Sequence, residues 1–426
     1  MANKHGNALM IRSLPLTHCD ASRRGFLKQV GAGAIAIGAA GVAVPASGAE
    51  PCIRVGVIGC GVRGKHLMTR LRKMPGLRVT AVCDVYTRNL TAAQAEAGGP
   101  GVFATPDYQQ VLERKDVDAV VVATPDRHHV PMTLAAVAAG KDVYVEKPLT
   151  YSLDENARIL AGVKASGRIV QVGTQQRSMP QYRRAKELVD VGAIGKVRLV
   201  RMYWNRNGAP LKSRTENIDP AEVDWKRFLG GAPEQPFNAY KMLHWRRFWD
   251  TGGGVFLDFM VHWLDAAVWI LGLDQPDTVV SLGDNYATAG IEEIPDTAQC
   301  LLQYRRQCLQ ADFCSCFVNA YEETGTELRG EKGTIYLDRT RLELHPEKKH
   351  RGKPEMMILD PATPRGSGSE GRLDGVSLHL ANWLDCIRTR CEPNAPVSQA
   401  IIAATTGHWA NIALREQRAV KPLVQT

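Results

Sequence analysis

Nowhere does the sequence hold the unbroken run of about twenty apolar residues that a membrane-spanning helix needs. The nearest approach near the amino terminus, Val30 to Val44, is about fifteen residues long and built mainly from Gly and Ala. Ten cysteines are present, yet no CxxC pair and no matching His cluster accompanies them, which excludes the usual structural zinc sites. They read as packing residues, and no metal site is expected. A basic stripe and an RNP-like motif are also missing. The formal charge of +9 is carried partly by residues 1–49, where five bases face one acid; less that +4, only +5 is spread over the rest. Nucleic-acid binding is therefore not expected. No low-complexity block occurs either. What remains is a globular composition, 44% hydrophobic and 23% charged, in 426 residues, long enough for two domains.

Ser22-Arg23-Arg24-Gly25-Phe26-Leu27-Lys28 precedes the Val30–Val44 run, and Ser47-Gly48-Ala49 follows with a small-x-small pattern. This resembles a twin-arginine export signal, a processing segment outside the fold. Ala49-Glu50-Pro51 before Cys52 does not match a lipoprotein box. The resemblance implies recognition by the twin-arginine translocation machinery and a periplasmic or secreted protein, exported already folded and loaded with any cytoplasmic cofactor. The expected division is a leader at 1–49, a cofactor domain at 50–170 and a substrate domain at 171–426.

Ile53 to Ile58 reads as a buried strand followed by Gly59-Cys60-Gly61-Val62-Arg63-Gly64 and a helical stretch. Gly59 permits the tight turn, Gly61 lets backbone approach a pyrophosphate, and Gly64 allows close helix–strand packing. A second strand, Leu77 to Cys83, ends in Asp84, twenty residues beyond Gly64. A carboxylate there accepts ribose hydroxyls and repels a 2′-phosphate, favouring NAD over NADP, with Arg88 nearby as an opposing influence. Val117 to Thr124 and Asp142 to Glu146 are further strands, separated by a helix from Pro131 to Gly140. The alternation predicts a doubly wound parallel Rossmann sheet whose ligands sit at the carboxyl ends of its strands. Two polar clusters fall there, Thr124-Pro125-Asp126-Arg127-His128-His129 and Glu146-Lys147-Pro148.

With the later Asp258-x-x-x-His262, these features place the chain's likeness: it resembles the glucose–fructose oxidoreductase / inositol dehydrogenase / MocA family over most of residues 53–270. The resemblance implies a carboxyl-terminal α/β domain with a large, mostly antiparallel sheet that commonly serves in homo-oligomer contacts. It also implies a sugar or polyol substrate, and a lysine, here Lys147, touching both cofactor and substrate. Gly59, Gly61, Val62, Arg63, Gly64, Asp84, Thr124, Pro125, His128, Glu146 and Lys147 are the expected cofactor residues.

Val255 to Leu271 reads as one buried helix stopped by Gly272, with Asp258, His262 and Asp265 on a single face. Asp265 is read as structural. Oxidising an alcohol requires a hydride acceptor, a base and charge beside the developing alkoxide. NAD is the acceptor, His262 the base, Asp258 its orienter or the holder of a neighbouring sugar hydroxyl, and Lys147 the charge; the residues leave open an exchange of the Lys and His roles. Tyr203, Trp204, Arg206, Trp225, Tyr240, His244, Trp245, Arg246 and Trp249 suggest as a group a substrate wall, and Gln175 and Arg177, after the strand opening the second domain, are expected to face the cleft. The alternative reading is a glycoside hydrolase or lyase that works by transient oxidation with resident NAD.

Overall fold

The computed structural model describes residues 52–208, 217–350, 352–367 and 374–422. The leader expected at 1–49 lies outside them. Six strands form the first sheet: β1 (Ile53–Ile58), β2 (Leu77–Cys83), β3 (Phe103–Thr105), β4 (Ala119–Val122), β5 (Asp142–Val145) and β6 (Val170–Val172). Their order is β3-β2-β1-β4-β5-β6, all parallel, as a right-handed series of βαβ units requires. β4 and β5 are buried at every position, which explains the unbroken apolar sequence of β4; the one charge in β5, Asp142, is paired with Arg390.

The second sheet contains β7 (Val197–Asn207), β8 (Thr278–Asp284), β9 (Thr297–Tyr304), β10 (Leu309–Cys316), β11 (Val318–Gly330), β12 (Gly333–Leu337), β13 (Arg341–Pro346) and β14 (Glu355–Ile358). Its order is β14-β13-β12-β11-β7-β10-β9-β8, antiparallel except where β7 meets β10. One face packs under the helices Pro180–Asp190, Val261–Leu271 and Val397–Arg415. The other carries Leu282 and Leu301, 72% and 60% exposed, and the outward Cys314 and Cys316. Among the described residues no helix is long and apolar enough to cross a membrane.

The chain crosses the boundary expected at residue 170. The helix Gly375–Thr389 returns to the first sheet, where Val376, Leu380 and Trp383 pack on Val55, Leu67 and Val121. Val397, Ala400 and Ile401 do the same on its other face. The strand before Gly173, expected to open the second domain, is instead β6, paired in parallel with β5 as the last strand of the Rossmann sheet. The long helix expected at Val255–Leu271 is divided: Phe256–Met260 is a π-turn and regular α-helix runs from Val261 to Leu271, capped by left-handed Gly272.

Candidate active site

β1 runs into Gly59, whose φ of +88° places it in the left-handed region. A Cβ on Gly59 would stand 2.6 Å from the Ala123 carbonyl oxygen, and one on Gly64 would stand 1.8 Å from Gly59 O. A Cβ on Gly61 would meet nothing within 4 Å. Packing therefore demands the first and third glycines, while the second faces open space. The helix Val62–Leu71 begins there without a side-chain cap, so its first N–H groups and positive dipole end are available to an anion.

Asp84 accepts the N–H of Cys60 at 2.7 Å and of Tyr86 at 2.8 Å. Burial raises its carboxyl above the ordinary range, and those two N–H bonds hold the rise back. Gly59, Gly61, Asp84, Thr124 and Pro125 line one cleft of about 1560 Å³. An uncapped helix end, a glycine that leaves room before it and a carboxylate at the end of β2 fit the pyrophosphate and ribose of a dinucleotide.

Arg63 and His128 also line this cleft, and their side chains, like that of Glu146, are engaged by partners within the protein. Arg63 Nε donates to Glu146 Oε1 at 2.7 Å, so this pair braces the cleft floor through its side chains. Glu146 is packed so closely that a Cβ on Gly173 would lie 2.9 Å from its carboxylate. His128 Nε2 lies 2.8 Å from the Phe228 carbonyl, tying the cleft lip to the segment above it. The neighbouring His129 is the residue that spans two turns, 2.6 Å from Pro148 O and 3.0 Å from Thr124 O.

Lys147 Nζ donates to Asp258 Oδ1 at 2.6 Å and to Asp258 O at 2.7 Å. Arg246 Nε stands 3.4 Å from the same carboxylate and itself lines the cleft. Burial opposes ionisation of Asp258, but the Lys147 and Arg246 charges prevail and hold its carboxyl down to about 2. His262 lies four residues on, yet it does not pair with Asp258. The imidazole instead packs against Trp204 with ring centroids 5.5 Å apart. Its Nδ1 is buried without a hydrogen-bond partner among the described residues. Burial, then the charges of Lys147, Arg339, Arg63 and Arg206, push His262 well below the ordinary imidazole range, so the ring is neutral.

Gly252-Gly253-Gly254 leads into the π-turn and is held from two sides. Gly253 N–H donates to Asp126 Oδ2 at 2.8 Å, and Asn411 Nδ2 donates to Gly253 O at 2.7 Å. Asp126 lay inside the turn already noted in the sequence without being singled out; burial raises its carboxyl to about 7. Arg339, whose Cζ stands 5.1 Å from the Trp204 ring centroid and whose charge acts on His262, was not singled out, because a lone arginine after β12 carries no sequence signal.

Gln175 and Arg177 do not face the cleft as expected. Both lie in the buried turn Gln175–Ser178. Arg177 is enclosed, donating to Asp265 Oδ2 at 2.7 Å and Oδ1 at 2.9 Å, with Gln399 as a further partner. Because β6 closes the Rossmann sheet, the chain after it turns inward against the helix Val261–Leu271. Trp245 and Arg246 do line the cleft, the guanidinium 4.0 Å above the indole.

Part of the segment 217–250 bonds to both lips of the cleft. On one side Asp224 N–H donates to Val85 O at 2.9 Å and Val223 bridges Tyr86. On the other, Arg127 Nε donates to Asp250 O at 2.7 Å. Among the described residues no group of three or more His, Cys, Asp or Glu could hold a metal.

A dinucleotide cleft in a 3-2-1-4-5-6 sheet, with a lysine–carboxylate pair and a neutral histidine behind its lip, defines the class as an NAD-binding oxidoreductase. Residues 53–174 match the oxidoreductase family with the NAD-binding Rossmann fold, and residues 182–336 match the GFO/IDH/MocA carboxyl-terminal domain. The chain belongs to the Gfo/Idh/MocA family. It is 37% identical over 292 residues to inositol 2-dehydrogenase 2 of Saccharopolyspora erythraea, covering 67% of this chain and 73% of that protein. It is 26% identical over 296 residues to the uncharacterized oxidoreductase YrbE of Bacillus subtilis, covering 68% and 74%. Matches to three further inositol 2-dehydrogenases of S. erythraea span 42–47% of their length. The solved myo-inositol 2-dehydrogenase from Lactobacillus plantarum superposes with a TM-score of 0.66 at 22% identity, over 88% of this chain and 100% of that one, a likeness of fold. The enzyme class is an NAD-dependent dehydrogenase acting on CH–OH groups.

Proposed function

We propose that the protein is an exported dehydrogenase that oxidises or reduces a sugar, inositol or glycoside and keeps its NAD between turnovers. One observation carries the hydride-transfer reading: Lys147, Asp258 and a neutral His262 gather behind Arg246 at the cofactor cleft. Bound NAD supplies the hydride acceptor. Lys147, fixed by Asp258, sets a positive charge beside the substrate oxygen as alkoxide character develops. His262 receives the hydroxyl proton on its ring and returns it in the reverse direction. The related inositol dehydrogenases support a polyol substrate.

Retention of NAD is supported by the contacts of the segment 217–250 with both cleft lips, which must part before a dinucleotide leaves. Export is supported by the Ser22–Lys28 pattern and the small residues before Glu50. Assembly into a homo-oligomer is supported by the uncovered apolar side chains of the second sheet.

The test is an absorbance spectrum of freshly purified exported protein, recorded before and after a panel of sugars and polyols. Bound nicotinamide being reduced gives a new band near ~340 nm. Protein free of dinucleotide that works only with added NAD sinks the retention claim. No reduction by any sugar, with NAD supplied, sinks the dehydrogenase.

A further inference from the structure

Lys147 and Asp258 come from different halves of the chain, so their 2.6 Å pairing depends on what fixes one half against the other. The turn Asp126–His128 follows the cleft-lining Thr124 and Pro125 and reaches across with all three of its side chains. His128 Nε2 lies 2.8 Å from Phe228 O, Arg127 Nε donates to Asp250 O at 2.7 Å, and Asp126 Oδ2 accepts the Gly253 N–H at 2.8 Å. Each meets backbone of the second half, at successive points toward Asp258. The Asp126 bond falls nearest to it, five residues before (258 − 253).

Gly253 stands immediately before the helical run that begins at Gly254 and carries Asp258. A Cβ on Gly253 would lie 2.8 Å from Leu257 Cδ1 and 3.2 Å from Asp126 Oδ2, and Gly254 has a φ of +80°. Neither glycine brings a side chain that could hold the turn. The hold comes from outside: Asp126 takes the N–H of Gly253, and Asn411 Nδ2 donates to its carbonyl at 2.7 Å. With both backbone groups engaged, the residue shifts only by breaking a buried bond, and the helix starting from it delivers Asp258 to one place. Asp126 is 3% exposed, and its carboxylate makes no other hydrogen bond among the described residues. Burying a carboxyl is costly, and here the one bond it makes is the bond that locates Asp258. The charges of Arg246, Asp258 and Lys147 act on it, so it belongs to their cluster while lying outside the residues that line the cleft.

We propose, on the dehydrogenase reading above, that Asp126 is a positioning residue: through the Gly253 N–H it sets the start of the helical run, hence the place of Asp258 and the point at which Lys147 presents its charge to the substrate oxygen. It touches neither NAD nor substrate. Its effect therefore falls on the chemical step and not on binding, because the cleft walls are built from other residues. An amide oxygen accepts the same N–H, so asparagine replaces it in this role.

The experiment measures NAD reduction by the NAD-loaded enzyme with myo-inositol, glucose and gluconate, alongside the NAD content of the purified protein and its melting temperature. Asp126→Ala is expected to lower kcat about 10- to 100-fold, the scale of displacing a reacting group by about 1 Å, with KM and NAD content changed about twofold or less. Asp126→Asn is expected to restore kcat to within about threefold of wild type, since the acceptor returns without the charge. Asn411→Ala frees the Gly253 carbonyl from the opposite side and is expected to lower kcat alone, by about 3- to 10-fold. Full kcat in Asp126→Ala or, where that variant fails to fold, in Asn411→Ala overturns the proposal and leaves the dehydrogenase standing. A loss shared by kcat, KM and NAD content that follows melting temperature and is not rescued by asparagine also overturns it, as the mark of a purely structural carboxyl. Failure of the wild-type enzyme to reduce NAD with any of the three overturns the polyol dehydrogenase reading and the proposal with it.

Discussion

Asp258 and Asp265 lie seven residues apart in one helical run, and each meets a cation from the first half of the chain. Lys147–Asp258 closes at 2.6 Å with both side chains 11% exposed; Arg177–Asp265 closes at 2.7 Å with both at 0%. The more buried pair is the more complete. Arg177 binds both Asp265 oxygens and Gln399, whereas Asp258 has a second cation at 3.4 Å and a neighbour, His262, with an unfilled ring nitrogen. Burial and the completeness of hydrogen bonding go together here, and both separate the framework pair from the reactive one.

The sharpest way to break this contrast is to remove one cation at a time. Lys147→Ala is expected to lower kcat on the order of 10³-fold, with a smaller shift in melting temperature than Arg177→Ala produces. Retained turnover with a large loss of stability would merge the two pairs into one structural class. Arg177→Ala strands Asp265 in the core and is expected to destabilise by about 3–5 kcal/mol in urea unfolding. The double variant Arg177→Met, Asp265→Leu should recover most of that loss, since no buried charge is left unpaired.

The glycine turn sharpens the comparison between packing and site on a smaller scale. Gly64→Ala drives a Cβ into the Gly59 carbonyl and is expected to cost about 1–3 kcal/mol. Gly61→Ala meets open space, so stability should hold within about 0.5 kcal/mol while NAD affinity falls, read by calorimetry. Equal effects of both changes on stability would contradict the assignment of Gly61 to the ligand.

The smallest effect concerns pH. His379, between Ser178 Oγ and Val172 O, and His408, beside Thr150, are pushed down to about 4 by burial. A depressed histidine pKa means that the unfolded chain binds the extra proton first. Stability is therefore full above the ordinary value near 6.5 and falls as pH drops toward 4, by about 1.4 kcal/mol per pH unit for each histidine. His379→Gln should flatten this slope in urea melts between pH 7.5 and 4.5. Asp126, raised to about 7, acts oppositely, because the folded state keeps its proton; its contribution is lost as pH rises from about 4 toward 7. A slope unchanged by His379→Gln would refute the neutral buried histidine.

The Rossmann half was legible because each of its signals is local. The apolar runs at 53–58 and 77–83 became β1 and β2 over the same residues, and Gly59 and Gly64 answer to a neighbour in the next strand or the same turn, while Gly61 faces open space. The second half was harder to read. β7, the strand at the centre of the larger sheet, was not recognised, because its buried positions Val197, Val200, Met202 and Trp204 do not keep a strict alternation from the start and exposed arginines lie between them. Arg177 has the same chemistry as Arg246 in sequence, and only the inward turn after β6 sends one to the core and leaves the other at the cleft.

By itself, then, the sequence determined the dinucleotide half: residue type and spacing within a strand–turn–helix suffice to place a carboxylate and an uncapped helix end. The tertiary structure alone decided the reactive half. Asp258 meets Lys147 from the cofactor domain and His262 meets Trp204 of β7, partners 111 and 58 positions away in the chain (258 − 147 and 262 − 204) that no local pattern announces. Arg206 and Arg339, 133 positions apart by number, meet over one indole because β7 and the end of β12 lie near each other in one sheet. Contacts of that range depend on strand order and register, and these are settled by the burial of a whole face, not by the residues that make the contact.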